Sequence, residues 1–244
     1  MVVYRPSITL YQKYSQAHPS EFQTQGDRLT HVLPLGQDAT VNWRDLVPYT
    51  SAYVSRDDSY VAAQLSALFD RMNKPRQVRN GSELLFEDLR NSPAVLIGAF
   101  NNRWTLEMTA RLPFVFADDG EVGRIPKQKT GGRLWRPQVD SGGRWTADFA
   151  LIGRLFDSNT GQLVIIAAGI GGAGTSSAGE FLSHEDYLTD GLRNTPKYWY
   201  KKNMEVVLET NITDGLAGPP HCRSHRVLLV LIARLFPLVR MLTA

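Results

Sequence analysis

Gln162-Leu-Val-Ile-Ile-Ala-Ala-Gly-Ile-Gly-Gly-Ala-Gly-Thr-Ser-Ser-Ala-Gly-Glu-Phe-Leu182 is the stretch from which the rest of the chain is read. Leu163 to Ala168 is a run of aliphatic and β-branched residues, the pattern of a strand buried on both faces. It empties into Gly169, Gly171, Gly172 and Gly174, and small helix-compatible residues follow from Thr175. A strand, a tight glycine turn and a helix N-terminus converge several backbone N–H groups on one point. That arrangement holds anions in α/β proteins.

Outward from this unit, apolar segments alternate with helical ones. Leu46–Val54 is extended. Asp57 and Asp58 precede a helix over Ser59–Asp70, with Val61, Leu65, Leu68 and Phe69 on one face. Pro75–Arg79 is a short strand candidate, and Ser82 caps a brief helix over Glu83–Leu89. Ala94–Phe100 is a second doubly buried strand, followed by Asn101-Asn102 and a helix through Met108. Pro113–Phe116 returns as a strand. Asp148–Phe156 and Leu163–Ala168 flank a turn-rich link, Asp157–Gly161, which predicts a hairpin. Helical pieces over Thr175–His184 and Glu185–Arg193 lead to a strand over Met204–Ile212.

This alternation predicts a doubly wound α/β fold: a mostly parallel sheet covered on both faces, with an antiparallel hairpin at about residues 148–169. Three segments are expected. Residues 1–44 form a weakly structured extension or partial first unit, 45–220 the α/β domain, and 221–244 a basic-apolar tail.

The chain has 244 residues, a formal net charge of +3 and one cysteine, Cys222, so no internal disulfide can form. Seven basic residues against three acidic ones lie between Lys197 and the C-terminus, which concentrates the positive charge there. Such a balance does not by itself imply nucleic-acid binding. Met1-Val-Val-Tyr-Arg5 lacks the features of a signal peptide. In the tail from Val227 to Ala244, Arg234, Arg240 and Pro237 argue against a spanning helix, so membrane contact is expected only through this tail. The expectation is a soluble domain, cytoplasmic by default.

Two candidate ligand sites follow. The first is the glycine turn, with Gly171, Gly172, Gly174, Thr175 and Glu180. Gly169-x-Gly171-x-x-Gly174 matches the dinucleotide fingerprint in form. However, two helical pieces intervene before the next strand, Glu209 lies too far on to be the ribose acid, and the Walker lysine is absent. The second is the end of the Ala94–Phe100 strand: Asn101 and Asn102 offer amides, Arg103 a cation, Trp104 a stacking face and Thr105 a hydroxyl. Ligands in open α/β sheets bind beyond the carboxyl ends of strands, so both turns are expected to share one crevice.

The leading expectation is a ligand-sensing or interaction domain for a small polar or anionic ligand, with a regulatory protein as a possible partner. No cofactor, metal or catalytic residue is expected. One alternative is an enzyme acting on a nucleotide or phosphosugar, using Asn102 for orientation and Glu180 or Asp148 as acid or base. Another is nucleic-acid binding through the basic, tryptophan-bearing loop Arg124–Trp145. His221-Cys222-x-x-His225 supplies three potential metal ligands without a fourth.

Three groups of strings resemble a family of bacterial α/β domains with no established activity. They are Asp88-Leu-Arg-Asn-Ser-Pro-Ala-Val-Leu-Ile-Gly-Ala-Phe-Asn-Asn-Arg-Trp-Thr105, Gly169-Ile with Gly174-Thr and Ala178-Gly-Glu-Phe-Leu182, and Lys202-Asn-Met-Glu-Val-Val-Leu208 with Gly218-Pro-Pro220. In that family the domain often stands C-terminal to a winged-helix DNA-binding segment or a membrane helix. The resemblance implies a sensor or effector-binding role, and an extracytoplasmic place for relatives on a membrane helix. After Gly218-Pro-Pro220 the family ends in another extended segment, whereas His221 begins a basic-apolar tail in this chain, for which a shifted reading frame is the expectation.

Overall fold

The computed structural model describes residues 9–11, 46–48, 55–110, 112–118, 123–126, 134–156 and 159–228. The strands in chain order are β1 (Thr9–Tyr11), β2 (Leu46–Pro48), β3 (Ala94–Ile97), β4 (Ala117–Asp118), β5 (Gly123–Pro126) and β6 (Leu134–Trp135). They continue with β7 (Gln138–Val139), β8 (Trp145–Phe156), β9 (Leu163–Gly169), β10 (Asn203–Thr213), β11 (Leu216–Ala217) and β12 (His221–Leu228). The helices are α1 (Arg56–Arg71), α2 (Phe86–Asn91), α3 (Arg103–Thr109), α4 (Gly172–Ser183) and α5 (Glu185–Leu192).

β8 and β9 form an antiparallel hairpin running from Ala150↔Gly169 to Phe156↔Leu163. On the other edge of β8 lies β10, antiparallel from Met204↔Arg154 to Asn211↔Ala147. β11 and β12 both pair with the far edge of β10, and β3 flanks β9. β1 pairs with β2, and β4–β5–β6 form a separate small sheet.

The doubly wound, mostly parallel sheet is therefore corrected. The main sheet is mixed and strongly curled, a half-barrel in which β3–β9 is the one parallel pair among the described strands. The reason lies in β8. β9 and β10 run in the same direction and are joined through α4 and α5, as a parallel crossover would be. β8, antiparallel to both, occupies the place between them. The apolar runs follow from coverage of both faces, which an antiparallel sheet can have as well.

Side chains on β8 alternate between two cores. Phe149, Leu151 and Leu155 point with Val164, Ile166 and Val207 towards Leu89, Trp104, Phe114 and Trp135. Ala150 and Ile152 point with Met204, Val206 and Leu208 towards Val61 and Leu65 of α1, Phe181 of α4 and Leu192 of α5.

Several local expectations shift. α1 starts at Arg56 with Ser55 as its N-cap, so Asp57 and Asp58 lie inside the first turn. Pro75–Arg79 is irregular, and Phe114 makes a single bridge rather than a strand over 113–116. Residues 221–228, set apart from the sequence as the start of a basic-apolar tail, pair with β10 from Glu209↔His221 to Asn203↔Leu228 and extend the sheet. Most of residues 1–44, and all of 229–244, lie outside the described residues. No described helix is long and apolar enough to cross a membrane.

Candidate functional site

β3 and β9 are parallel neighbours, in register from Ala94↔Val164 to Ile97↔Ala167, so the chain leaves both strands at the same edge of the sheet. The Gly98 N–H donates to Ala167 O at 3.1 Å and ties the two exits together. Gly98 has φ +86°, and a Cβ there would lie 2.5 Å from Asn101 Oδ1, so the tight turn into Asn101 needs a glycine.

Between the exits lies a cavity of about 60 Å³. The first turn contributes Ala99, Phe100 and Asn101, and the second contributes Gly169, Ile170, Gly171, Gly172 and Thr175. Ser55 and Asp58 of the α1 N-terminus close it. This volume suits a few waters or one small group. A drug-sized ligand occupies about 300–1,000 Å³, so a whole nucleotide or phosphosugar does not fit inside.

The two adjacent asparagines divide the work. Asn102 is fully buried and caps α3: its Oδ1 accepts from Trp104 N–H at 3.1 Å and Thr105 N–H at 3.4 Å, and its Nδ2 donates to Ile97 O at 3.1 Å. Asn101 faces the cavity and donates from Nδ2 to Asp58 Oδ2 at 2.7 Å. Arg103 and the Trp104 indole both donate to Leu84 O, at 2.9 and 3.2 Å. Thr105 is buried behind Asn102. Arg103, Trp104 and Thr105 thus serve the packing of α3 and do not line the cavity. Glu180 sits within α4, away from it.

The amides of the glycine turn already hold a carboxylate. Asp148 on β8 is fully buried; its Oδ1 accepts from Phe149 N–H at 2.7 Å and Gly171 N–H at 3.2 Å. Its Oδ2 accepts from Gly171 N–H at 3.1 Å and Gly174 N–H at 2.7 Å. Burial pushes this carboxyl up to about 6, against the pull of the Gly174, Phe149 and Gly171 amides, so it is mostly ionised at pH 7. A second carboxylate stands alongside. Asp57 Oδ1 accepts from Ser176 Oγ at 2.9 Å, and a Cβ on Gly172 would lie 2.2 Å from Asp57 Oδ2. The Trp145 ring covers Gly171, where a Cβ would approach it to 2.5 Å. The helix terminus that predicted an anion site is therefore satisfied from within the chain. Asp148 is thus fully buried, with both carboxylate oxygens taken up by the Phe149, Gly171 and Gly174 amides.

Asp148→Ala should destabilise the domain by about 2 kcal/mol, because buried amides lose their acceptor and water replaces it only in part. It should also open an anion site. Sulfate should raise the melting temperature of the variant and leave the parent unmoved; equal responses would show that the carboxylate does not block the turn.

The residue missed from sequence is Asp58. It is buried, and burial pushes its carboxyl up to about 7 against the Asn101 hydrogen bond, with the Asp57 charge adding to the rise. A signal was present: positions 58, 61 and 65 share one helical stripe, so Asp58 had to point inward with Val61 and Leu65. Among the described residues of the Arg124–Trp145 loop, Trp135 is buried edge-on against Phe114, with centroids 5.4 Å apart, and offers no stacking face. No group of three His, Cys, Asp or Glu side chains that could hold a metal ion occurs among the described residues, so His221, Cys222 and His225 do not form one.

No family model, curated protein or solved structure matches this chain.

Proposed function

We propose that this is a ligand-sensing domain of a bacterial regulatory or signalling protein, and that it takes a small hydrogen-bond-donating group into the cavity at the ends of β3 and β9. One observation carries the reading. Two turns far apart in sequence line one cavity whose wall holds the Asp58 carboxyl, while Asp148 already fills the amides of the glycine turn. An incoming anion would meet Asp57, Asp58 and Asp148. An amine, amide or hydroxyl would meet an acceptor. At about 60 Å³ the cavity holds one functional group, so a larger ligand would insert its polar end and leave the remainder outside. The sensor role implied by the family resemblance accords with this reading.

A thermal-shift screen of primary amines, amides, polyols and phosphates tests it. A ligand present at 100 times its Kd stabilises by about 2.7 kcal/mol, a rise of roughly 5–10 °C for a domain this size. The expected hits are amine- or amide-bearing compounds, with Asp58→Asn removing the shift. For a cationic hit, affinity should increase as pH rises from 6 to 8, because the cation favours the ionised Asp58. A screen in which only phosphates shift the melting temperature, or in which Asp58→Asn retains every shift, defeats the reading.

A further inference from the structure

At the opposite end of the sheet, where β8 finishes and β10 begins, the chain exposes aromatic rings among lysines. Tyr198 is 60% exposed, Tyr200 49% and Phe156 55%. The three sit at one corner. The Asn203 side chain joins Phe156 to the start of β10, with Oδ1 accepting from Phe156 N–H at 2.7 Å, and Arg154 Nη1 donates to Lys202 O at 2.8 Å. Lys197, Lys201 and Lys202 fall within six residues, and no acidic residue occurs between Gly191 and Met204. Arg193, beside them, is paired with Asp190.

Two features set this corner apart from ordinary solvated surface. Tyr198 has φ +66°, a left-handed conformation that is unfavourable for a bulky side chain. Its ring is largely exposed and meets the Tyr200 ring edge-on, with centroids 6.1 Å apart. Lys201 Nζ lies 5.6 Å from the Tyr198 centroid and 5.9 Å from that of Tyr200, so one ammonium is held over both rings.

We infer that this corner is a peripheral docking surface for an anionic lipid bilayer, with Tyr198, Tyr200 and Phe156 entering the headgroup layer and Lys197, Lys201 and Lys202 facing lipid phosphates. Aromatic rings with a polar edge, flanked by lysine, suit the membrane–water boundary. The ring geometry disfavours single-stranded nucleic acid, which needs open faces on which bases stack. Tyr198 and Tyr200 are inclined at 66°, and Lys201 lies over both rings. Leu228 pairs with Asn203, and the residues after it, 229–244, carry two arginines, no acid and otherwise almost wholly apolar side chains.

The test uses the full chain with two kinds of vesicle, phosphatidylcholine alone and phosphatidylcholine with roughly one-third phosphatidylserine. Binding is expected to the anionic vesicles only, and to weaken in high salt. Lys197→Glu with Lys201→Glu should reduce it tenfold or more, given about fivefold per basic residue at such a surface. Tyr198→Gly separates docking from folding, because glycine relieves the left-handed backbone: binding should fall while the melting temperature holds or rises. The proposal is overturned if neither vesicle binds, or if a single-stranded oligonucleotide binds and vesicles do not. It is also overturned if the lysine or Tyr198 variants bind like the parent, which would assign any attachment to residues 229–244 alone.

Discussion

Gly169→Ala should cost the domain at least about 4 kcal/mol, enough to leave a domain of ordinary stability largely unfolded. A Cβ at this position would lie 2.1 Å from Thr175 N, 2.4 Å from Gly174 C and 2.6 Å from Gly171 O. All three are backbone atoms, which cannot swing aside as the end of a side chain can. Relief would require α4 to move away from β9, and α4 is held from behind. A Cβ on Gly179 would come within 2.6 Å of Val61 Cγ2, so α1 is packed directly against that helix. The hydrogen bonds from Gly169 N–H to Thr175 Oγ1 at 3.0 Å, and from Thr175 Oγ1 to Gly171 O at 3.1 Å, would break with the movement. Gly161→Ala is the control. It has φ +69° with nothing near its missing Cβ, and it should lose only about 1 kcal/mol of conformational preference. Urea midpoints for the two variants decide the matter. A Gly169→Ala protein within 1 kcal/mol of the parent would mean that the close approach of strand and helix is not rigid.

The same glycines show how far the sequence could be read. Gly169-x-Gly171-x-x-Gly174 correctly marked a strand, a tight turn and a helix, because missing side chains between an apolar run and a helical stretch signal close approach. The consequence that it should bind an external anion did not follow, since the occupant, Asp148, lies on a different strand that no local pattern connects to the turn. Topology failed for a similar reason. The order β9, α4, α5, β10 reads as a parallel crossover, and only pairing between distant residues reveals β8 in the intervening place. The shared cavity, by contrast, could be anticipated, because adjacent strands leaving a sheet in the same direction must bring their turns together. Which asparagine faced it could not. Asn101 and Asn102 differ in role through the backbone of one turn: Gly98 in the left-handed region sends Asn101 towards Asp58 and leaves Asn102 to cap α3.

Glu205 produces the second large effect, a stability difference that appears only as pH rises. It is fully buried near the start of β10; its Oε2 accepts from Phe114 N–H at 3.2 Å, and its Oε1 has no partner among the described residues. Burial pushes this carboxyl up to about 8, against the pull of the Phe114 amide and of Arg226, its cross-strand neighbour on β12. An acid whose folded value exceeds its unfolded one stabilises the fold fully below the unfolded value, here about 4.5, and loses that contribution as pH climbs through the folded value. The window for Glu205 thus runs from about 4.5 to 8. Asp58 and Asp148, raised to about 7 and 6, lose stability in the lower part of the same range. Glu205→Gln keeps the shape and cannot ionise. At pH 5 it should match the parent within about 1 kcal/mol, since a neutral amide replaces a neutral acid. At pH 9 it should be the more stable protein by on the order of 3 kcal/mol, the full linkage value being reduced by relaxation around the buried charge. The Asp58 and Asp148 contributions cancel in the difference between the two curves. Urea denaturation at intervals from pH 5 to 9 gives that difference directly. Curves that stay parallel throughout would place Glu205 in its ionised form already at pH 5, with Arg226 rather than burial setting its charge.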